Sequence, residues 1–420
     1  MPQNDQQLTK NVVFLVLVAA LGYFVDIYDL VVFSVIRLKS LADIGVPAAE
    51  MRTTGAFVLN MQMAGLLVGG IVWGIIGDKF GRVKVLFGSI LLYSLANFAN
   101  GLVHDITRYA IIRVIAGIGL AGELGAGITL VSETLSKEKR GYGTMVVAVI
   151  GLFGAVAAAQ VGKHDWRTAY FVGGGLGIVL LALRLGTFES GMYKNVAKIK
   201  VAKGNMLMLF NNWSRFYKYL CCILIGAPLW YVVGILVTQS PEFGKALGAK
   251  ELLDAGTGIM YTYIGIAIGD IAAGLLAQLT KSRKLTMMIF LLLTVVSVAT
   301  YLGTKNITVS QFITICFFMG FTVGYWATFV TIASEQFGTN IRSTVTTTVP
   351  NFVRGALIPI SAIFDLLVVH YGMITSGYIM MGALTIISLF ALSQLKESFS
   401  KDLDYVESDE DPVGQFNVGS

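Results

Sequence analysis

Apolar residues in this chain gather in long stretches separated by short polar connections, without the alternation of a half-buried strand. A run of ~20 such residues crosses the hydrocarbon core of a bilayer as a helix. Twelve runs are legible, at about 12–36, 55–77, 84–103, 107–132, 143–162, 168–188, 217–239, 257–279, 285–303, 309–333, 345–369 and 373–395. An even number of spans puts both termini on one side. Loops on that side hold roughly twice the lysines and arginines of the opposite loops, which predicts cytoplasmic termini. The first run, Val12 to Ile36, is too long for a secretory leader and contains two aspartates, so it is expected to remain as span 1.

Composition narrows the class further. The 420 residues are 55% hydrophobic and 13% charged, and the mean hydropathy is +0.73. Soluble domains carry about 25% charge, so a polytopic membrane protein is expected, with the lipid bilayer as its surroundings. The net charge of +6 reads as topology, and no nucleic-acid partner is expected. Lipid is as apolar as leucine, so the 47 glycines are expected to let helix backbones approach closely. Cys221, Cys222 and Cys316 lie inside apolar runs without metal-ligand spacing and read as small packing residues. His104, His164 and His370 fall in or beside the non-cytoplasmic loops. No segment gathers a nucleophile, a base and an orienting group, which argues against an enzyme, and no cofactor or metal is expected.

The chain repeats itself. Gly74-Ile-Ile-Gly-Asp78-Lys-Phe-Gly81-Arg82-Val-Lys84 lies between spans 2 and 3, and a worn copy starts 200 residues later at Gly274 and ends at Lys284, with Gln278 in place of the acid. Glu133 and Arg140 after span 4 return, displaced by 202, as Glu335 and Arg342 after span 10. These duplications divide the chain into a bundle at 1–188, a basic cytoplasmic linker at 189–216, a second bundle at 217–395, and an acidic tail at 396–420 expected to be disordered.

Charges at membrane depth are expensive and are functional candidates by default. Span 1 carries Asp26 and Asp29, three apart and so on one face with Tyr23. Span 4 carries Arg113 and Glu123. At ~1.5 Å per residue, Asp29 and Arg113 lie at similar depth and can meet, as a static ion pair or as a proton site governed by the arginine. In span 11, Thr347, Asn351, Arg354, Ser361 and Asp365 form a polar stripe that must face protein or a water-filled cavity. Arg354 could pair with Asp365 or Asp270, or grip an anion with its planar fork. Pro350 and Pro359 flank it, and Pro228 sits beside Trp230 and Tyr231; these prolines are packing kinks or gating hinges. Trp230, Tyr231, Tyr325 and Trp326 either line a substrate pocket or pack, and Gln62 is a further polar candidate.

The loop at Gly74–Lys84 resembles the signature between helices 2 and 3 of the major facilitator superfamily. Arg113-Val-Ile-Ala-Gly117-Ile-Gly119 is similar to that superfamily's helix 4 motif. Asp26-Ile-Tyr-Asp29, Asp165-Trp166-Arg167 and Arg354 ahead of Pro359 resemble its metabolite:proton symporters and organic-anion carriers. The resemblance implies an all-α membrane protein of twelve transmembrane helices in two pseudo-symmetric six-helix bundles. It implies gating by Gly74, Asp78, Gly81, Arg82 and Lys84. Proton coupling would fall to Asp26, Asp29, Arg113 and Glu123. Substrate contact would fall to Arg354 and Asn351, with Tyr23, Gln62, Trp230, Tyr231 and Tyr325. The helix 5 run Gly151-Leu-Phe-Gly154 lacks the proline of the superfamily's antiporters.

The expectation is therefore a monomeric, proton-coupled importer of a small organic anion in a bacterial inner membrane, working by alternating access with protons as the coupling ion. Rival readings are a symporter of zwitterions or cations, an exporter, and a membrane sensor that transports nothing.

Overall fold

A computed structural model describes residues 10–80, 82–123, 140–189 and 206–399, with the side chains of 10–12, 15, 77–84, 140–145, 186–189, 206–207, 339–340 and 343 excluded. Gly81, Glu133, most of the linker and the tail from 400 onward thus lie outside what is described, as do the side chains of Asp78, Arg82, Lys84 and Arg140.

With no water in the bilayer core, each backbone group must be satisfied within its own segment, and the described residues form helices without strands. The first half comprises α1 (Lys10–Asp43), α2 (Met51–Phe80), α3 (Arg82–Asn100), α4 (Ile106–Leu120), α5 (Arg140–Val161) and α6 (Trp166–Glu189). The second half comprises α7 (Trp213–Tyr231), a short α8 (Ser240–Ala246), α9 (Ala255–Thr280), α10 (Arg283–Gly303), α11 (Val309–Val323), α12 (Trp326–Glu335), α13 (Thr339–Gly355) and α14 (Leu357–Gln394).

The second half departs from unbroken spans in ways its residues explain. Pro228 cannot donate to the carbonyl four residues back. That carbonyl, on Leu224, accepts from Ser388 Oγ of α14 at 2.9 Å instead, and α7 continues as a π-helical turn over Val232–Val237. Span 10 breaks at Gly324–Tyr325 into α11 and α12. Span 11 breaks at Ala356 between α13 and α14. Pro350 lies inside α13, whereas Pro359 falls in the first turn of α14, where no intrahelical donor is lost. Spans 11 and 12 meet at Gly372, whose φ of 74° is the left-handed conformation glycine adopts at least cost.

The glycines hold the closest seams. A Cβ on Gly65 or Gly69 of α2 would strike the α4 backbone at Val114 and Ile118. On Gly265 or Gly269 of α9, exactly 200 positions later in the numbering, it would strike the α11 backbone at Phe317 and Phe321. The repeat legible in the loops is thus also built into helix packing. Between the halves, α5 packs on α9 and α2 on α13.

At the end of the bundle opposite the termini, ionic contacts cross the halves. Arg37 of α1 donates to Glu242 at 2.8 Å and to the Thr238 carbonyl at 3.1 Å, and Arg52 of α2 pairs with Asp365 of α14. At the end carrying the termini, residues 396–399, expected to be disordered, pack against α10. Glu397 accepts from Ser282 Oγ and from the Arg283 and Lys284 amides, the unsatisfied donors of a helix start.

Candidate functional site

The charges predicted at membrane depth converge between the halves. Asp26 and Asp29 project from one face of α1 and are essentially inaccessible, at 0% and 1% exposure. Arg354, in the last turn of α13, is as deeply buried. Its Nη2 lies 3.6 Å from Asp26 Oδ2, an ion pair that bridges the halves. The spacing is loose: among the described residues neither Asp26 oxygen accepts a hydrogen bond, and Arg354 Nε and Nη1 donate none. The Arg354 guanidinium stands 5.9 Å from the centre of the Trp326 ring, at the start of α12. Tyr23 and Tyr263 lie within the electrostatic reach of the pair. Arg354 therefore pairs with neither Asp365, which Arg52 takes, nor Asp270, which accepts from the Ala327 amide at 3.0 Å and caps α12.

Arg113 and Asp29 come near one another without pairing. Arg113 Nη2 donates to Gln62 Oε1 of α2, and Gln62 Nε2 donates to the Asp29 backbone carbonyl at 3.4 Å. The Arg113 guanidinium rests against Phe33 at 5.5 Å and Tyr170 at 5.7 Å. Asp29's carboxylate fills space that exists because residue 173 is glycine, beside the Asn97 amide. Gln62, expected to meet substrate, is instead occupied within the protein.

Glu123, expected in proton coupling, forms a two-pronged ion pair with Arg184 of α6, both 2% exposed. The pair presses on Gly22 of α1, where any side chain would collide with it. Sequence reasoning missed Arg184 because it stands five residues before the end of α6 and counts as a loop-flanking charge. The six fully buried charges there, Asp26, Asp29 and Glu123 with Arg113, Arg184 and Arg354, sum to zero when all are ionised, the partly exposed Asp270 standing outside that sum.

The remaining candidates divide. Asn351 Nδ2 donates to the Ala121 carbonyl at 3.1 Å, another link between halves. Tyr231 OH donates to the Gly377 carbonyl at 2.6 Å and so packs within its own half. Trp230 Nε1, Trp326 Nε1 and Tyr325 OH are buried and make no hydrogen bond among the described residues. Gly74 has open space around it.

A fold of twelve spans in two related bundles, with paired charges at mid-depth between them, defines a membrane transporter. The model of the Major Facilitator Superfamily matches residues 14–356, and the chain belongs to that family. It is 24% identical over 347 residues, covering 80% of this chain and 84% of the relative, to a Bacillus subtilis protein named as a niacin/nicotinamide transporter, NiaP. It is 24% identical over 267 residues, 60% of this chain and 64% of the relative, to the Escherichia coli sialic acid transporter NanX. Among solved structures, the proton:xylose symporter XylE superposes with a TM-score of 0.67 at 17% identity, covering 94% of this chain and 98% of that one. The last is a likeness of fold.

Proposed function

We propose that this transporter carries a small organic monoanion together with one proton into a bacterial cell, across the inner membrane, with both termini in the cytoplasm. The observation that carries the reading is the Asp26–Arg354 pair. Arg354 is a buried guanidinium whose fork is only partly used, and its partner is a carboxylate that a substrate carboxylate can replace. Protonating the Asp26/Asp29 pair weakens Asp26's hold and leaves Arg354 free for the anion.

Charge balance supports the stoichiometry. A neutral site that admits one anion becomes negative unless one proton enters with it, and an uncompensated charge at this depth is costly. Relatives named as carriers of niacin/nicotinamide and sialic acid are in keeping with this cargo. The proton is the coupling ion, and no other cofactor is invoked. Asp26 and Arg354 belong to one chain, which supports a monomer as the working unit.

The test is uptake into proteoliposomes of a panel including nicotinate, benzoate, sialate and betaine under an imposed pH gradient. Acid-outside conditions are expected to concentrate a carboxylate. Arg354→Ala is expected to abolish its binding and Arg354→Lys to weaken it, since removing one side of a desolvated charge pair costs roughly 2–5 kcal/mol. A folded Arg354→Ala protein that binds as tightly as wild type, or a wild type that concentrates only betaine, would overturn the anion reading.

A further inference from the structure

Arg113 and Asp29 are oppositely charged and buried in the first half without pairing with each other, and Gln62 contacts both residues. We infer that Gln62 is a positioning residue for proton loading: it holds Arg113 away from the Asp29 carboxylate and so sets the pH at which the Asp26/Asp29 pair takes its proton. The inference rests on the proton-coupled reading above and adds to it the residue that tunes the coupling.

The geometry supports a wedge. Gln62 is fully buried and uses both ends of its amide. The oxygen accepts from Arg113 of α4 and the nitrogen donates to the Asp29 backbone carbonyl of α1. It is therefore fixed by two other helices and cannot turn without losing one contact. Arg113 Nε and Nη1 make no hydrogen bond among the described residues, and neither do the Asp29 oxygens. Two buried, opposite and incompletely satisfied groups would gain by joining, and an amide that bridges to the backbone of one of them keeps them apart.

The other groups facing Asp29 are few. Asp26 and Tyr28 share its helix, Tyr93 and Asn97 come from α3, and Tyr170 comes from α6. Gly173 of α6 supplies only space. Asp26, the other half of the pair, faces Arg354, Glu123, Tyr23 and Tyr263. Arg113 is the cation facing the Asp29 end, so its distance controls proton loading from that side. The two aspartates are three residues apart and interact, so the proton belongs to the pair and not to either residue alone. A cation that moves onto Asp29 lowers the affinity of the pair for its proton, and an added anion raises it.

Two substitutions should therefore shift the pH profile in opposite directions. Gln62→Leu fills similar volume, removes the wedge and lets Arg113 reach Asp29. The midpoint of pH-driven uptake should move to lower pH by about one unit, a tenfold change in proton affinity. Gln62→Glu keeps the shape, captures Arg113 ionically and adds negative charge, so the midpoint should move to higher pH. Counterflow exchange, which needs no net proton movement, should survive in both.

The assay uses the full-length protein in proteoliposomes, with whichever of radiolabelled nicotinate, benzoate or sialate the wild type concentrates, after thermal melting has confirmed folding. The near-isosteric Gln62→Glu keeps the test open if Gln62→Leu fails to fold. Shifts of opposite sign support the wedge. A residue that merely packs would lower the rate at all pH values in both variants, and unshifted midpoints or shifts of the same sign would overturn it while leaving the symport reading intact. A wild type that concentrates none of these anions, or is indifferent to the pH gradient, overturns the symport reading and the wedge together.

Discussion

Arg113, Arg184 and Arg354 are all buried, and the quality of their pairing separates their roles. Arg184 meets Glu123 with two prongs beneath Gly22, the geometry of a permanent tie. Arg354 meets Asp26 at 3.6 Å with donors to spare, the geometry of a replaceable one. Removing one side of a buried ion pair costs about 3–5 kcal/mol, whereas replacing both by apolar groups of similar volume is often neutral. Arg184→Met alone should thus lower the melting temperature sharply, and the double change Arg184→Met with Glu123→Leu should recover much of it. If Glu123→Gln melted like wild type but lost proton coupling, Glu123 would return to the proton path where its sequence position first put it. At this scale the sequence revealed Asp26, Asp29, Arg113 and Arg354, because charges in apolar runs stand out. It concealed their partners, because Asp26 and Arg354 are far apart in the chain and only the docking of two halves brings them together. Gln62 was legible as buried and polar but not as a wedge, since an amide has no charge to declare its partner.

Helices and their ends carry the latches. Arg37 reaches from α1 to the last turn of the π segment and to Glu242 of α8, and a side chain on Gly55 would collide with it. Opening the end opposite the termini must break this contact and Arg52–Asp365. Spin labels at the exposed Thr107 and Lys305, one on each half, should show a larger long-distance population in Arg37→Gln than in an otherwise identical wild-type background. An unchanged distribution would show that other contacts hold this end shut. At the other end, burial alone would raise Glu397, but hydrogen bonds from Ser282 and from the Phe399, Arg283 and Lys284 amides outweigh it and hold the carboxyl down at about 2. A group depressed below its ordinary 4.5 contributes stability that is present above pH 4.5 and lost as the pH falls toward 2. The melting gap between wild type and Glu397→Gln should therefore be full at pH 6.5 and shrink at pH 3; a constant gap would contradict the account. Hydropathy made the helices legible but not all their ends: α1 runs on to Asp43, and α4 closes at Leu120 where the span was expected to continue. It could not show the breaks at Gly324 and Ala356, because helix-breaking backbone at depth is tolerated only where tertiary contacts satisfy it. Glu397 was read as part of a disordered tail because its partners, Ser282, Arg283 and Lys284, lie far away in sequence.

The whole molecule is two related bundles whose shared surface holds both the site and the latches. Asp26–Arg354 links the halves at mid-depth, Asn351 links α13 to the end of α4, and Arg37 and Arg52 link them at one end. A ligand that displaces Asp26 from Arg354 therefore changes a contact between the halves, which gives binding a means of favouring one arrangement over the other. By linkage, if a proton on the aspartate pair strengthens anion binding, the anion strengthens proton binding equally. The most direct measurement is the affinity of the purified protein for its carboxylate substrate across pH 5 to 8, in wild type and in Asp26→Asn. The account predicts that wild-type affinity rises as the pH falls, while Asp26→Asn binds tightly throughout with a much flatter pH dependence, because Arg354 is already free. A wild-type affinity indifferent to pH, or an Asp26→Asn protein that folds but no longer binds, would contradict it.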